Sequence, residues 1–224
     1  MLGVPARSGT VELATLYAAM DSFTALLARG DVLVVQGMPG LPSVEMACNV
    51  LVAMFLDSDC TDLVLMGDDQ GWDGTEFAKL CAYDADIVGV GVIMKGETER
   101  YTCILDADEI QADANGLVEV FTVGSGYLRI RRNVLEHMAN ASEWYHCAQR
   151  VKTVPRIFER RVIDGVEWSE DNTFCLKAKE LGYKILVDPE MHTEHIGKKS
   201  WHGHMGDYWR ACNTPNDDNH EATS

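Results

Sequence analysis

This 224-residue chain lacks paired cysteines, long apolar runs and a surplus of basic residues. Its seven cysteines are an odd number and form no Cys-x-x-Cys pair, which disfavours a disulfide framework and a zinc cluster. No apolar stretch reaches the roughly 20 residues that a membrane-spanning helix needs. The first residues also lack the basic and then apolar pattern of a secretory signal. Together these absences predict a reduced, cytoplasmic protein with no membrane partner.

Charge is distributed unevenly along the chain. The 35 acidic and 19 basic residues give a formal net charge of −16, which disfavours general nucleic-acid binding because phosphates must be neutralised by a basic face. One region, which we call the basic strip, reverses this balance with eight basic residues against three acidic ones. A solvated face is its default interpretation, and a contact surface for an anionic acceptor is the alternative. The basic strip comprises Arg129, Arg131, Arg132, Arg150, Lys152, Arg156, Arg160 and Arg161.

Strand-like and helix-like segments alternate through the first half of the chain. Helices are predicted from Thr10 to Gly30, from Ser43 and from Asp73. Strands are predicted at 1–5, 31–37, 63–66 and 86–93, and this βαβαβ order favours a parallel sheet with right-handed crossovers. The first helix carries apolar residues at near-helical spacing, namely Val11, Leu13, Leu16, Tyr17, Met20 and Phe23.

The second half is less regular in its patterning. Short strands are expected within 101–130, a helix from Arg131 to Met138, and an irregular loop over 141–168. A helix from Glu170 ends before Gly182, and a strand follows at 183–187. We therefore predict one domain over 1–203, with a nucleotide-binding half (1–93) and an acceptor half (94–203). A partly disordered tail is expected over 204–224.

Three separated segments carry residues suited to chemistry. Asp68 and Asp69 directly follow a predicted strand, where ligands of parallel sheets bind, and two carboxylates there could hold a divalent cation. Glu170 and Asp171 begin a helix after Ser169, and His195 follows the last predicted strand. Each has an ordinary structural interpretation: a polar turn, acids that favour a helix N-terminus, and a surface or core histidine.

Taken together and in this order, the segments resemble the GT-A class of nucleotide-sugar glycosyltransferases. The closest resemblance is to small phage and bacterial members whose strand-end motif reads ID-x-D-x-x-W. It covers roughly residues 1–203 and implies a Rossmann-like α/β fold with a mostly parallel central sheet flanked by helices. The matching segments are Asn49, 66–72, 86–89, 123–132, 169–175 and 195–197.

The resemblance implies a role for each of these segments. Asp69 and His195 would bind Mn²⁺ or Mg²⁺ at the donor diphosphate, and the imidazole suits Mn²⁺ better. Asp171 would be the acceptor-side base, with Glu170 as the substitute. The residues implied in binding the nucleotide-sugar are Pro5, Arg7, Ser8, Asn49, Asp68, Gly124, Ser125, Gly126 and Lys198.

Two positions depart from the pattern of this class. Gly67 stands where the first acid of the D-x-D motif usually lies, and Cys48 stands where many relatives carry Arg before Asn49. Both changes bear on metal affinity and on the identity of the donor.

The function implied is metal-dependent transfer of a hexosyl or pentosyl group from a UDP- or GDP-sugar to a hydroxyl acceptor, with inversion. An acceptor of unspecified type ranks first, and hydroxymethylated bases of phage DNA rank second because of the basic strip. Two other classes stay open. A nucleotidyltransferase would carry a glycine-rich basic loop after the first strand, which Ala6-Arg7-Ser8-Gly9 matches poorly. A non-catalytic nucleotide-sugar-binding module would show no metal-dependent stabilisation.

Overall fold

A computed structural model describes residues 1–105 and 111–213 of the chain. The helices within these residues are α1 (Leu13–Ala28), α2 (Val44–Leu56), α3 (Gly74–Ala82), α4 (Arg132–Asn140), α5 (Glu170–Glu180) and α6 (Met205–Asn213). The strands of the first half are β1 (Leu2–Val4), β2 (Val35–Gly37), β3 (Asp62–Met66), β4 (Gln70–Gly71) and β5 (Ile87–Gly89). Those that follow are β6 (Cys103–Ile104), β7 (Val118–Glu119), β8 (Thr122–Val123), β9 (Tyr127–Arg131), β10 (Trp144–Cys147), β11 (Lys152–Pro155), β12 (Arg161–Ile163), β13 (Val166–Trp168), β14 (Leu186–Val187), β15 (His192–Ile196) and β16 (Ser200–His204).

A seven-stranded sheet with the order β2-β1-β3-β9-β5-β14-β7 forms the centre of the molecule. Strand β1 pairs in parallel with β2 and β3, and β14 pairs in parallel with β5. Strand β9 lies antiparallel between β3 and β5, and β7 is antiparallel to β14. Five strands therefore share one direction, which confirms the predicted α/β class with a mostly parallel sheet.

The buried side chains form two clusters, one on each face of the sheet. Along β3, Leu63 and Leu65 belong to one cluster, whereas Val64 and Met66 belong to the other, as the alternation of side chains in a strand requires. Helices α2, α4 and α5 cover the first cluster, and α1 and α3 cover the second. Because both faces are buried, the strand reads as a continuous apolar run rather than an alternating one.

Helix α1 has the predicted periodicity, but its large apolar side chains lie on the outside. The residues of this helix that are buried against the sheet and α3 are Thr15, Ala18, Ser22 and Leu26. The apolar residues at near-helical spacing are instead exposed by 46–59% of their surface. We call this set the α1 face: Val11, Leu13, Leu16, Tyr17, Met20, Phe23 and Leu27.

Helices α1 and α3 approach so closely because Gly74 has no side chain. A Cβ atom added at Gly74 would lie 2.5 Å from the carbonyl carbon of Asp21 and 2.7 Å from the backbone nitrogen of Ser22. We expect Gly74→Ala to lower the free energy of unfolding by about 2–3 kcal/mol, because the two backbones would have to separate. Urea denaturation would measure this loss.

The matched control is Gly37→Ala, since no atom lies within 4 Å of a Cβ at that position. Alanine there should change the unfolding free energy by less than about 1 kcal/mol. Equal losses in the two variants would contradict the close packing of α1 on α3.

The prediction of an irregular loop over 141–168 is wrong in one respect, because this segment contains two antiparallel hairpins. Strand β10 pairs with β11, and β12 pairs with β13. The second hairpin turns at Asp164 and Gly165, which have φ angles of 52° and 81°. An Asp-Gly pair with positive φ at both residues is typical of a two-residue hairpin turn, so the sequence contained this signal.

The expected C-terminal tail begins with ordered structure. Strand β16 ends at His204, and α6 follows with Met205 buried to 1% exposure in the core. The rest of the expected tail, 214–224, lies outside the described residues, and the division into halves at 93 stays a prediction. None of the helices in 1–105 and 111–213 is long and apolar enough to cross a membrane.

Candidate functional site

The loops after β1 and β3 meet at one edge of the sheet. The backbone nitrogen of Glu12 donates to the carbonyl oxygen of Asp68 at 2.8 Å. The Thr15 hydroxyl donates to the carbonyl oxygen of Gln70 at 2.6 Å. The start of α1 is therefore anchored to the Asp68-Asp69 turn. The preceding loop holds Pro5, which is half-buried, and Arg7 and Ser8, which are exposed.

Antiparallel pairing of β4 with β15 brings His195 to the same place. His195 pairs with Gln70, and the backbone nitrogen of Ile196 donates to the carbonyl oxygen of Asp69 at 2.8 Å. As a result, His195 Nε2 lies 3.4 Å from Asp69 Oδ1. The predicted proximity of these two residues is thus present in the structure.

The His195 ring is oriented by the backbone of a third segment. Its Nδ1 lies 2.8 Å from the carbonyl oxygen of Ile93, so Nδ1 must carry a proton and donate it. With Nδ1 donating, Nε2 directs either a proton or, in the neutral ring, a lone pair towards Asp69. Such a backbone contact is the usual support of a metal-binding imidazole.

Lys95 is a site residue that the sequence analysis did not identify. Its Nζ lies 2.5 Å from Asp69 Oδ2, on the other oxygen from that facing His195. Burial alone would raise the pKa of Asp69, but hydrogen bonds and charge from His195 and Lys95 lower it to about 2. The carboxylate is therefore ionised at neutral pH. The available signal was position, because Lys95 follows the predicted strand 86–93, which ends at the same edge of the sheet.

The side chain of Gln70 explains why position 67 is a glycine. A Cβ atom at Gly67 would lie 2.7 Å from Gln70 Nε2, and one at Gly126 would lie 2.6 Å from the same atom. The backbone nitrogen of Gly67 also donates to the carbonyl oxygen of Gly126 at 2.9 Å. The buried Gln70 amide thus fills the space where the first acid of a D-x-D motif would project, and an aspartate at position 67 would collide with it.

Few side chains at this place are suited to bind a metal cation. Among residues 1–105 and 111–213, no group of three or more His, Cys, Asp or Glu side chains is arranged to hold a metal ion. Asp69 Oδ1 and His195 Nε2 fit a divalent cation in chemical type, and two ligands of one cation lie roughly 3 Å apart. Burial and then the negative charge of Asp69 raise the pKa of the adjacent Asp68.

The start of α5 lies against the loop of Gly124, Ser125 and Gly126. A Cβ atom at Gly124 would lie 3.5 Å from Asp171 Oδ2. The other carboxylate oxygen, Oδ1, accepts from the Ser169 hydroxyl and from the backbone nitrogen of Asn172. One oxygen of Asp171 is therefore held in place while the other faces Gly124.

Glu170 and Cys48 lie deeper than Asp171. Glu170 is 8% exposed, and its pKa is raised by burial and then by the charge of Asp171. The pKa of the fully buried Cys48 thiol is raised by burial and by the charges of Glu170 and Asp171. Cys48 is thus a neutral neighbour of these acids, at the position where the resemblance implies an arginine.

The side-chain amide of Asn49 forms hydrogen bonds within the protein. Its Oδ1 accepts from the backbone nitrogens of Ile157 and Phe158, and its Nδ2 donates to the carbonyl oxygen of Phe158 at 2.8 Å. With 2% of its surface exposed, Asn49 supports the 157–158 backbone. Lys198, in contrast, is exposed in the turn between β15 and β16, three residues after His195.

The basic strip is largely neutralised by ion pairs. Seven of its eight side chains lie within 4.0 Å of an acidic group, and Arg129 is fully buried beside Asp62. The eighth, Arg150, donates to the carbonyl oxygen of Pro39. These contacts favour the default interpretation over a surface dedicated to an anionic acceptor.

Comparisons with known proteins support the fold rather than a particular activity. No protein-family model matches the sequence, and no curated protein matches it. Among solved structures, the chain is similar to A197 from STIV, with a TM-score of 0.55 and 16% identity over 88% of this chain and 85% of that protein. A second match, HddC from Yersinia pseudotuberculosis complexed with GMP-PN, has 11% identity over 94% of this chain and 96% of that protein. Its TM-score of 0.35 is too low to indicate a shared fold. The chain therefore has an α/β fold similar to that of A197.

Proposed function

We propose that the chain is a GT-A-type glycosyltransferase, which moves a sugar from a UDP- or GDP-sugar to a hydroxyl acceptor. The observation that carries the proposal is the position of the Gly124–Gly126 loop. Gly126 contacts Gln70 beside the Asp69, His195 and Lys95 cluster, and Gly124 contacts Asp171. A loop without bulky side chains thus connects a charged cluster suited to a diphosphate with a carboxylate suited to an acceptor.

The leaving diphosphate would bind at the charged cluster. Lys95 would neutralise part of the charge that develops as the sugar departs, since an ammonium group near a leaving phosphate stabilises the transition state. Asp69 and His195 would hold Mn²⁺ or Mg²⁺, which would act there as a Lewis acid towards the phosphate oxygens. Asp68, Pro5, Arg7 and Ser8 lie at the same edge and would contact the nucleoside.

The acceptor would bind at the start of α5. Asp171 Oδ2 would accept the hydroxyl proton while the acceptor oxygen attacks the anomeric carbon from the side opposite the diphosphate, which inverts the configuration. The contacts of Oδ1 with Ser169 and Asn172 fix the direction of Oδ2. Glu170 would support this site as a buried neighbour of Asp171.

Substitution of Asp171 tests this assignment. We expect Asp171→Asn to lower the rate of sugar transfer by about 10²–10⁴-fold, because the base is lost while the shape is kept. Thermal stabilisation by the nucleotide-sugar should be unchanged, since Asp171 lies on the acceptor side. Release of nucleoside diphosphate from a panel of UDP- and GDP-sugars would measure turnover.

Glu180→Gln is the matched control, because it removes an exposed carboxylate from the other end of the same helix. It should leave both turnover and donor stabilisation unchanged. Full turnover in Asp171→Asn would contradict the proposed base. Release of sugar 1-phosphate in place of a nucleoside diphosphate would instead identify a nucleotidyltransferase, because attack on the α-phosphate of the nucleotide-sugar expels that group.

The acceptor is best sought among sugars, glycans and proteins first. The net charge of −16 and the ion-paired basic strip both disfavour DNA as a partner. Mass spectrometry of reactions offered simple sugars or hydroxymethylated DNA would compare the two acceptor classes directly. Glucosylated DNA as the main product would overturn this ranking.

A further inference from the structure

Helix α1 exposes a row of large apolar side chains. At about 100° per residue, the helical members of the α1 face, Leu13 to Leu27, span an arc of about 120° centred near Met20. Thr15, Ala18, Ser22 and Leu26 lie on the opposite side, which packs inward. Apart from Leu26, this helix therefore buries small and polar residues and exposes large apolar ones, the reverse of an ordinary surface helix.

Charge is almost absent from this helix. Among the 16 residues of α1, Asp21 is the one residue that is charged at neutral pH, and it lies outside the apolar arc. Monomeric proteins rarely expose apolar patches larger than a few hundred Å². Seven large side chains, each about half exposed, offer on the order of 700 Å² of apolar surface, which is close to the ~800 Å² per partner of a stable interface.

Neither of the two segments outside the described residues is suited to covering the α1 face. Residues 106–110 (Asp-Ala-Asp-Glu-Ile) contain one large apolar residue, and 214–224 contain none. A membrane surface is disfavoured because helices that lie on membranes carry Lys and Arg beside the apolar face, whereas α1 has neither.

We propose that the α1 face is the interface of a homodimer, in which the α1 helices of two copies pack antiparallel about a two-fold axis near Met20. A single straight stripe is self-complementary under such an axis, and two-fold dimers are the commonest oligomers. Because each copy carries a net charge of −16, association is less opposed at a surface that carries little charge. Further exposed apolar residues lie in the edge strand β2 and just before it, with Val32, Val34 and Val35 exposed by 80%, 43% and 54%.

Sedimentation velocity of the full chain from 1 to 100 µM tests the dimer. We expect a concentration-dependent dimer, and the double variant Leu16→Glu/Met20→Glu should weaken association by about 100-fold or more, because buried like charges would oppose each other. Both positions are exposed in the single chain, at 46% and 57%, so the fold should be retained. The control Val162→Glu changes an equally apolar residue, 71% exposed on the β12–β13 hairpin, and should change association by less than about threefold.

A cysteine variant tests the position of the axis without adding charge. In a Cys212→Ser background, Met20→Cys should form a covalent dimer on mild oxidation, whereas Val162→Cys should form no covalent dimer. A wild-type monomer at 100 µM, or a double variant that associates as strongly as wild type, would overturn the proposal. Binding of a monomer to vesicles of phosphatidylcholine and phosphatidylglycerol would also overturn it and would assign the α1 face to a membrane.

Discussion

Asp69→Asn is expected to lower the rate of sugar transfer on the order of 10³-fold and to remove metal-dependent stabilisation by the nucleotide-sugar. Asp69 has one oxygen facing His195 Nε2 and the other facing Lys95 Nζ. An asparagine keeps the shape of the side chain but removes the charge that both neighbours contact. Initial rates of nucleoside diphosphate release and thermal shifts with Mn²⁺ or with chelator would measure the two effects.

The control for this substitution is Asp84→Asn. Asp84 also forms an ion pair with a basic residue, Arg131, but its side chain is 97% exposed and lies away from the cluster. This variant should keep wild-type turnover and wild-type donor stabilisation. Asp69→Asn with unchanged turnover would contradict a role of this carboxylate in the site.

Substitution of Lys95 tests whether the proposed site uses a metal ion or the ammonium group of Lys95 as its cation. If a metal ion binds at Asp69 and His195, the ammonium group competes for Asp69, and Lys95→Met should keep or strengthen the Mn²⁺-dependent shift. Donor binding that is insensitive to chelator and lost in Lys95→Met would instead make the lysine the counter-charge of the diphosphate. In that case Lys95 would take the role of the metal ion in the proposed function, and the proposed position of the donor would stay the same.

The fold was predictable where periodicity and burial agree. Strand β3, with its apolar run ending at Asp68, and α5, with its stop at Gly182, were both expected and are both present. The side of α1 that packs against the core was not predictable, because periodicity identifies an apolar face without showing whether that face packs inward. The β10–β11 hairpin was missed because its strands, Trp144–Cys147 and Lys152–Pro155, are only four residues long and have little apolar alternation.

The part of the candidate site that lies at the ends of strands was predictable from the sequence. Asp69 and His195 are adjacent because β4 and β15 pair, and the sequence order of the segments anticipated this proximity. Lys95 and Gln70 required coordinates, since their roles depend on where a long side chain ends. Lys95 reaches across to another loop, and Gln70 fills the space that Gly67 and Gly126 leave.

Asn49 is linked to helix α5 through the backbone of residues 157 and 158. Its amide makes three hydrogen bonds with the backbone of residues 157 and 158. Phe158 stacks on Phe174 of α5 with ring centroids 4.8 Å apart, and α5 begins at Glu170 and Asp171. Asn49 therefore positions the helix that presents the proposed base, and the donor contact implied by the resemblance has no exposed polar atom to make it.

Asn49→Ala should consequently cost about 3 kcal/mol or more of unfolding free energy, because it leaves two backbone nitrogens and one carbonyl oxygen buried without partners. For a chain of this size the melting temperature should fall by about 6–12 °C. Urea denaturation followed by circular dichroism would measure the loss. The control Asn133→Ala removes one exposed contact with Asp86 and should cost about 0.5 kcal/mol or less.

Donor affinity separates the two roles of Asn49. If Asn49 only supports the 157–158 backbone, the folded fraction of Asn49→Ala should bind the nucleotide-sugar with an unchanged dissociation constant, while turnover falls as Asp171 loses its fixed position. Unchanged stability with weakened donor binding would instead return Asn49 to the donor site. The two roles therefore predict opposite patterns: lost stability with unchanged donor affinity, or unchanged stability with weakened donor affinity. The first pattern is expected, because a residue with its polar atoms buried acts on the ligand only through the backbone that it holds.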